Sequence, residues 1–79
     1  MSPTVFRAGG MRFFFFSREE RRMHVHVACA EGEAKIWVEP AIEVANGGGL
    51  NPATLDRAVR LTKERADEIR SAWNRHFRS

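Results

Sequence analysis

The stretch that decides the fold is His24-Val25-His26-Val27-Ala28-Cys29-Ala30-Glu31-Gly32-Glu33-Ala34-Lys35-Ile36-Trp37-Val38-Glu39. At its centre Ala30-Glu31-Gly32-Glu33 reads as a turn, and apolar residues alternate on both sides of it. Successive strand side chains point to opposite faces. The strand from Met23 to Cys29 therefore puts Val25, Val27 and Cys29 on one face, and His24, His26 and Ala28 on the other. The strand from Ala34 to Glu39 sets Ile36 and Val38 against Lys35, Trp37 and Glu39. The pair is an antiparallel hairpin with one apolar and one mixed face.

Working outward, Thr4–Arg7 is short and β-prone, and Ala8-Gly9-Gly10 is a turn signal. Met11 to Ser17 reads as a further strand dominated by Phe13 to Phe16, and Arg18 to Arg22 as a charged loop. Pro40 cannot donate to a ladder, so the chain should bend or bulge there. Ala41 to Ala45 suits an edge strand, with Ile42 and Val44 opposed to Glu43, and Asn46 to Gly49 ends it.

Beyond the glycines the period changes. Asn51 is a good helix N-cap, and Pro52 sits where its missing N–H is harmless. Leu55, Val59, Thr62, Ala66, Ile69, Trp73 and Phe77 recur at helical spacing as one stripe. The stripe is weakest at Thr62 and Ala66, so a kink or break belongs near Lys63–Arg65. The expected architecture is α+β: a small antiparallel sheet of four to five strands on one long C-terminal helix. A single domain of residues 1–79 divides into a β-rich part, 1–50, and a helix, 51–78.

One helix covers one face of a sheet. The uniformly apolar set must meet it, which leaves His24, His26, Lys35, Trp37, Glu39 and Glu43 on the other side. The four phenylalanines cannot all be inside, because Phe13 and Phe15 oppose Phe14 and Phe16. A leftover phenylalanine pair beside Trp37 approaches the largest apolar patch a monomer carries, several hundred Å² at roughly the upper limit. We therefore expect that face to be covered by a partner or a second copy, or by the chain's own N-terminal segment or Arg18–Arg22 loop. Tryptophan and arginine are the residues of binding hot spots. The candidate interface is Arg12, Phe14, Phe16, Lys35, Trp37, Glu39 and Glu43.

The chemistry-bearing residues are few. His24 and His26 share a face about 7 Å apart along the strand, and could supply two metal ligands or an acid–base pair. A third ligand would have to come from Glu39, Glu43 or His76. The structural alternative packs both rings against Trp37 or hydrogen-bonds them to a carboxylate. Arg21 and Arg22 are candidate phosphate contacts. No serine has a base at a recognisable spacing, and Cys29 falls on the apolar face as inert core. Gly47-Gly48-Gly49 before a capped helix lacks the GxxxxGK[ST] pattern of a phosphate cradle, and Pro52 removes one donor. Chain reversal is its use, and no cofactor is called for.

The 79 residues allow one core. A chain of that size buries only roughly 60% of its unfolded surface, so association is a natural source of extra burial. The lone cysteine excludes an internal disulfide. No apolar run is long enough for a membrane span or a signal peptide, and the cytoplasm of a prokaryote is the expected compartment. The charge is +3, with seven basic and four acidic residues after position 50. Asp56, Glu64, Asp67 and Glu68 interrupt any basic stripe there, so the helix does not read as a nucleic-acid binder.

Several blocks resemble the family catalogued as domain of unknown function 4160. They are Ser2-Pro3-Thr4-Val5-Phe6, Arg12-Phe13-Phe14-Phe15-Phe16-Ser17, His24-Val25-His26-Val27, Gly32 to Pro40, and Ala72-Trp73-Asn74-Arg75-His76-Phe77. Members are small prokaryotic proteins often encoded beside another short protein. The resemblance implies a toxin–antitoxin-like pairing and a unit of His24, His26, Lys35, Trp37, Glu39 and Pro40, but no catalytic residues. Members commonly carry prolines before the paired histidines, where this chain has Arg21-Arg22-Met23.

The reading is a cytoplasmic protein-interaction module, one half of such a pair or a homo-oligomer, rather than an enzyme. Two alternatives stand beside it. One is a metal-independent endoribonuclease using His24 and His26 with Lys35, Arg12, Arg21 and Arg22 on phosphate. The other is a metal- or small-ligand-binding domain on the same two histidines.

Overall fold

The computed structural model describes residues 3–16 and 21–77. Over them the alternating runs become five strands, β1 (Thr4–Ala8), β2 (Met11–Phe14), β3 (His24–Cys29), β4 (Gly32–Trp37) and β5 (Glu43–Asn46). They pair antiparallel in chain order, so the sheet is a meander with β1 and β5 at its edges. Of the expected charged loop, Arg18, Glu19 and Glu20 lie outside the described residues.

The register puts the apolar sets in line. Phe6 pairs with Phe13, Phe13 with Val27, and Val27 with Ala34. One step along, Val25 pairs with Ile36 and Ile36 with Val44. Phe6 and Phe13 stack, ring centroids 4.3 Å apart. Phe13, Val25, Val27 and Ile36 are fully buried. Val5 is an extra residue in β1, and the β4–β5 ladder shifts between Lys35 and Ile36; such bulges bend edge strands. The Glu39–Pro40 peptide is cis in the bend before β5.

The C-terminal segment is two helices rather than one, α1 (Pro52–Glu64) and α2 (Ala66–Phe77). The junction is Arg65, at φ −114° and ψ 26°, in the window where the apolar stripe is weakest. Thr62 contributes to it: its Oγ1 donates to the Ala58 carbonyl at 2.8 Å, a back-bond that bends helices. The Arg65 guanidinium lies 3.9 Å from the Phe6 ring centroid, which ties the junction to the sheet.

The face that α1 buries also differs from the expected stripe. Thr54, Ala58 and Thr62 are inside, and Leu55 and Val59 are only half-buried. The shift is of one residue at the first two positions, while Thr62 is buried as expected and Leu55 and Val59 still pack against the core from its margin. In α2 the expected residues, Ala66, Ile69 and Trp73, are the buried ones.

Asn51 caps α1 as its sequence position requires, accepting from Thr54 N at 2.9 Å. The Glu31 carboxylate joins the same cap, receiving Asn51 N at 2.9 Å, Asn51 Nδ2 at 2.7 Å and Thr54 Oγ1 at 3.2 Å. The anion at this helix start is thus the protein's own, and Gly47 to Gly49 serve chain reversal. Gly48, at φ +60°, lies so close to the Glu33 carbonyl that a Cβ there would overlap it. Among the described residues no helix is long and apolar enough to cross a membrane.

Candidate interaction surface

Register also builds the opposite face of the sheet. One row runs Thr4, Phe14, His26, Lys35, Asn46; a second runs His24, Trp37, Glu43; a third holds Arg7, Arg12, Ala28 and Glu33. Arg12, Phe14, Phe16, His24, His26, Lys35, Trp37 and Glu43 are therefore brought together, as their alternation requires. Glu39 is not. The β4 strand ends at Trp37, and Glu39 Oε2 instead takes Arg70 Nε of α2 at 2.6 Å. That hydrogen bond is the main cause holding the Arg70 pKa above the ordinary arginine value.

Aromatic rings form the floor of this face and cations lie on them. The Arg12 guanidinium sits 4.4 Å from the Phe14 centroid, its Nε donating to Thr4 Oγ1 at 2.7 Å. Trp37 carries two cations, Arg22 at 4.1 Å and Lys35 at 4.5 Å. Arg22 is fixed by the Glu39 carbonyl at 2.8 Å and Glu43 Oε1 at 3.1 Å. Phe14 is buried rather than exposed, and Trp37 is half-buried. Phe16 remains open, 39% exposed, tilted over His26 at 4.2 Å and edge-on to Phe14 at 5.5 Å. Cationic side chains whose charged heads lie over the rings thus do part of the covering expected of a partner.

His24 is fully buried. The β2–β3 pairing ends at Phe14–His26, so no strand flanks His24 on that side. Trp73 of α2 reaches it there, ring centroids 5.3 Å apart, while Trp37 meets it at 5.5 Å. Its Nδ1 lies 2.7 Å from the Arg22 carbonyl. A carbonyl only accepts, so Nδ1 bears the hydrogen. His26 packs near-parallel to Phe14 at 5.5 Å, with Nδ1 3.8 Å from Glu33 Oε2. Both Nε2 atoms are buried. A general acid or base must come within about 3 Å of the proton it transfers, and these rings are enclosed by aromatic side chains. The arrangement suits the packing role of the pair.

The expected third metal ligands lie elsewhere. Glu39 is on Arg70, Glu43 on Arg22, and His76 stacks on Phe15 on the helix side. Among the described residues no three His, Cys, Asp or Glu side chains come together as a metal site. Arg21 is exposed. Reading the sequence missed Trp73 as a neighbour of His24, and Arg22 as a cover of Trp37. The first had no local signal. The second was visible only as a basic residue close before the histidine strand.

The family described as Domain of unknown function (DUF4160) matches residues 10–74, and the chain belongs to it. No curated protein and no solved structure matches the chain.

Proposed function

We propose that this DUF4160 member is a protein-interaction module, and that it docks another small protein on the helix-free face of its sheet. The observation that carries the reading is the layer of cations on aromatic rings: Arg12 on Phe14, Arg22 and Lys35 on Trp37, with Phe16 open beside them. Stacking holds the charged heads in place before any partner arrives, which reduces the ordering that binding would otherwise require. The partner that fits lies on the cation-capped rings with an apolar side chain on Phe16 and an acidic rim that complements the basic character of the surface. Glu43 gives the surface a negative mark that sets orientation.

A single-stranded nucleic acid fits less well, because base stacking needs open ring faces, and here Arg12 and the Arg22–Lys35 pair occupy those of Phe14 and Trp37.

The test is a tagged pull-down from nuclease-treated lysate of the native host, comparing wild type with Trp37→Ala and Phe16→Ala. One stoichiometric protein held by wild type should be lost from both variants, Trp37→Ala weakening the complex by at least ~2 kcal/mol. Phe16 is 39% exposed, and an unchanged melting temperature of Phe16→Ala separates loss of binding from loss of fold. Equal retention by all three proteins would remove this face from the interface.

A further inference from the structure

β1 is the outer strand on one side of the sheet, with no strand beyond it among the described residues. An edge strand presents backbone N–H and C=O groups that another extended chain can pair with. Edge bulges discourage such pairing, but here the bulge takes up Val5 alone. Phe6, Arg7 and Ala8 stay in regular register with β2, which leaves a straight stretch of edge.

At the bulge the edge opens into a cleft of about 290 Å³ between β1 and α2. Thr4 and Val5 line its strand side, Ala72, Arg75 and His76 its helix side, and Phe15 its apolar floor. The His76 ring lies nearly parallel to Phe15, centroids 6.2 Å apart. Glu68 also borders the cleft, but Arg65 Nε binds its carboxylate at 2.9 Å. Arg75 and His76 have no carboxylate partner among the described residues. An open strand edge therefore leads into a pocket with an apolar floor and, at its mouth, a cation that no carboxylate of the described residues pairs.

We propose that this edge takes an extended acidic peptide segment, its backbone continuing the sheet along Phe6–Ala8 and its carboxylate entering the cleft at Arg75 and His76. Main-chain pairing supplies the affinity and the cleft supplies the choice of sequence. The site lies at the sheet's edge under α2, apart from the cation-covered face, and stands or falls separately from it.

The experiment is fluorescence anisotropy on the full chain with a fluorescein-labelled hexapeptide alternating valine and aspartate, and a second alternating valine and lysine. The acidic peptide should bind saturably, at least about tenfold more tightly than the basic one. Arg75→Glu should weaken it by about tenfold or more, with an unchanged melting temperature because Arg75 is exposed. Amide shifts should concentrate on residues 4–8 and 68–76. Absence of saturation, equal affinity for the two peptides, indifference to Arg75→Glu, or shifts confined to the outer face of β3 and β4 would each overturn the proposal.

Discussion

The two faces of the sheet are buried by different means. On one side, Phe6, Phe13, Val25, Val27 and Ile36 meet two helices, and the contact is apolar apart from Thr54 and Thr62 of α1. On the other, Phe14, Trp37 and His26 are covered by Arg12, Arg22, Lys35 and Phe16. The first is a core in the ordinary sense, close-packed and intolerant of gaps. The second is a layer of single side chains, held to the rings by stacking and to Thr4, Glu39 and Glu43 by polar contacts. A small domain can thus hold aromatic rings on a free face without a second layer of structure.

The contrast predicts a graded response to truncation. Phe13→Ala, fully buried beneath helices, should destabilise by about 4–5 kcal/mol in denaturant unfolding, enough to threaten folding of a marginal domain. Phe14→Ala, one residue along and nearly as buried, should come out lower, about 3 kcal/mol, because the Arg12 side chain can settle into the gap. Equal values would mean that the outer face is packed as rigidly as the core.

Asn51→Ala sharpens the same comparison from the helix side. It removes the cap on Thr54 N and one of the three bonds to Glu31, those from the Asn51 N–H and Thr54 Oγ1 being kept. A loss of about 1–2 kcal/mol in thermal unfolding is expected. The smallest effect should come from the cation layer itself: Arg12→Ala is expected to cost about 0.5–1 kcal/mol. It should at the same time raise binding of a hydrophobic dye, as Phe14 is uncovered. A larger stability loss without added dye binding would make Arg12 a core residue in all but name.

Much of this was legible in the sequence. Period-two alternation set Val25, Val27, Ile36 and Val44 against His24, His26, Lys35, Trp37 and Glu43 on the faces they take, and Asn51-Pro52 marked the helix start. The weak stripe at Thr62 and Ala66 located the break between α1 and α2. What escaped had physical reasons. Threonine and alanine do not advertise burial, so the face of α1 was read one residue too far along, at Leu55 and Val59 instead of Thr54 and Ala58. Alternation tells which way a side chain points, not what lies on it, so Arg12 on Phe14 and Arg22 on Trp37 were invisible, whereas Lys35 on Trp37 was legible as a long charged neighbour two residues away. Parity also fails where a strand ends: β4 stops at Trp37, and Glu39 turns to Arg70. The meeting of His24 with Trp73 depends on β2 stopping at Phe14, a tertiary fact that neither segment records.

The central claim is that the cation-covered face is the docking surface, and hydroxyl-radical footprinting of the complex captured from lysate tests it most directly. The account predicts that Phe16 and Trp37 lose reactivity on binding while Val44, 40% exposed on the other side of the sheet, keeps its own. Protection of Val44 with Phe16 and Trp37 unchanged would contradict it and move the interface to the helix side.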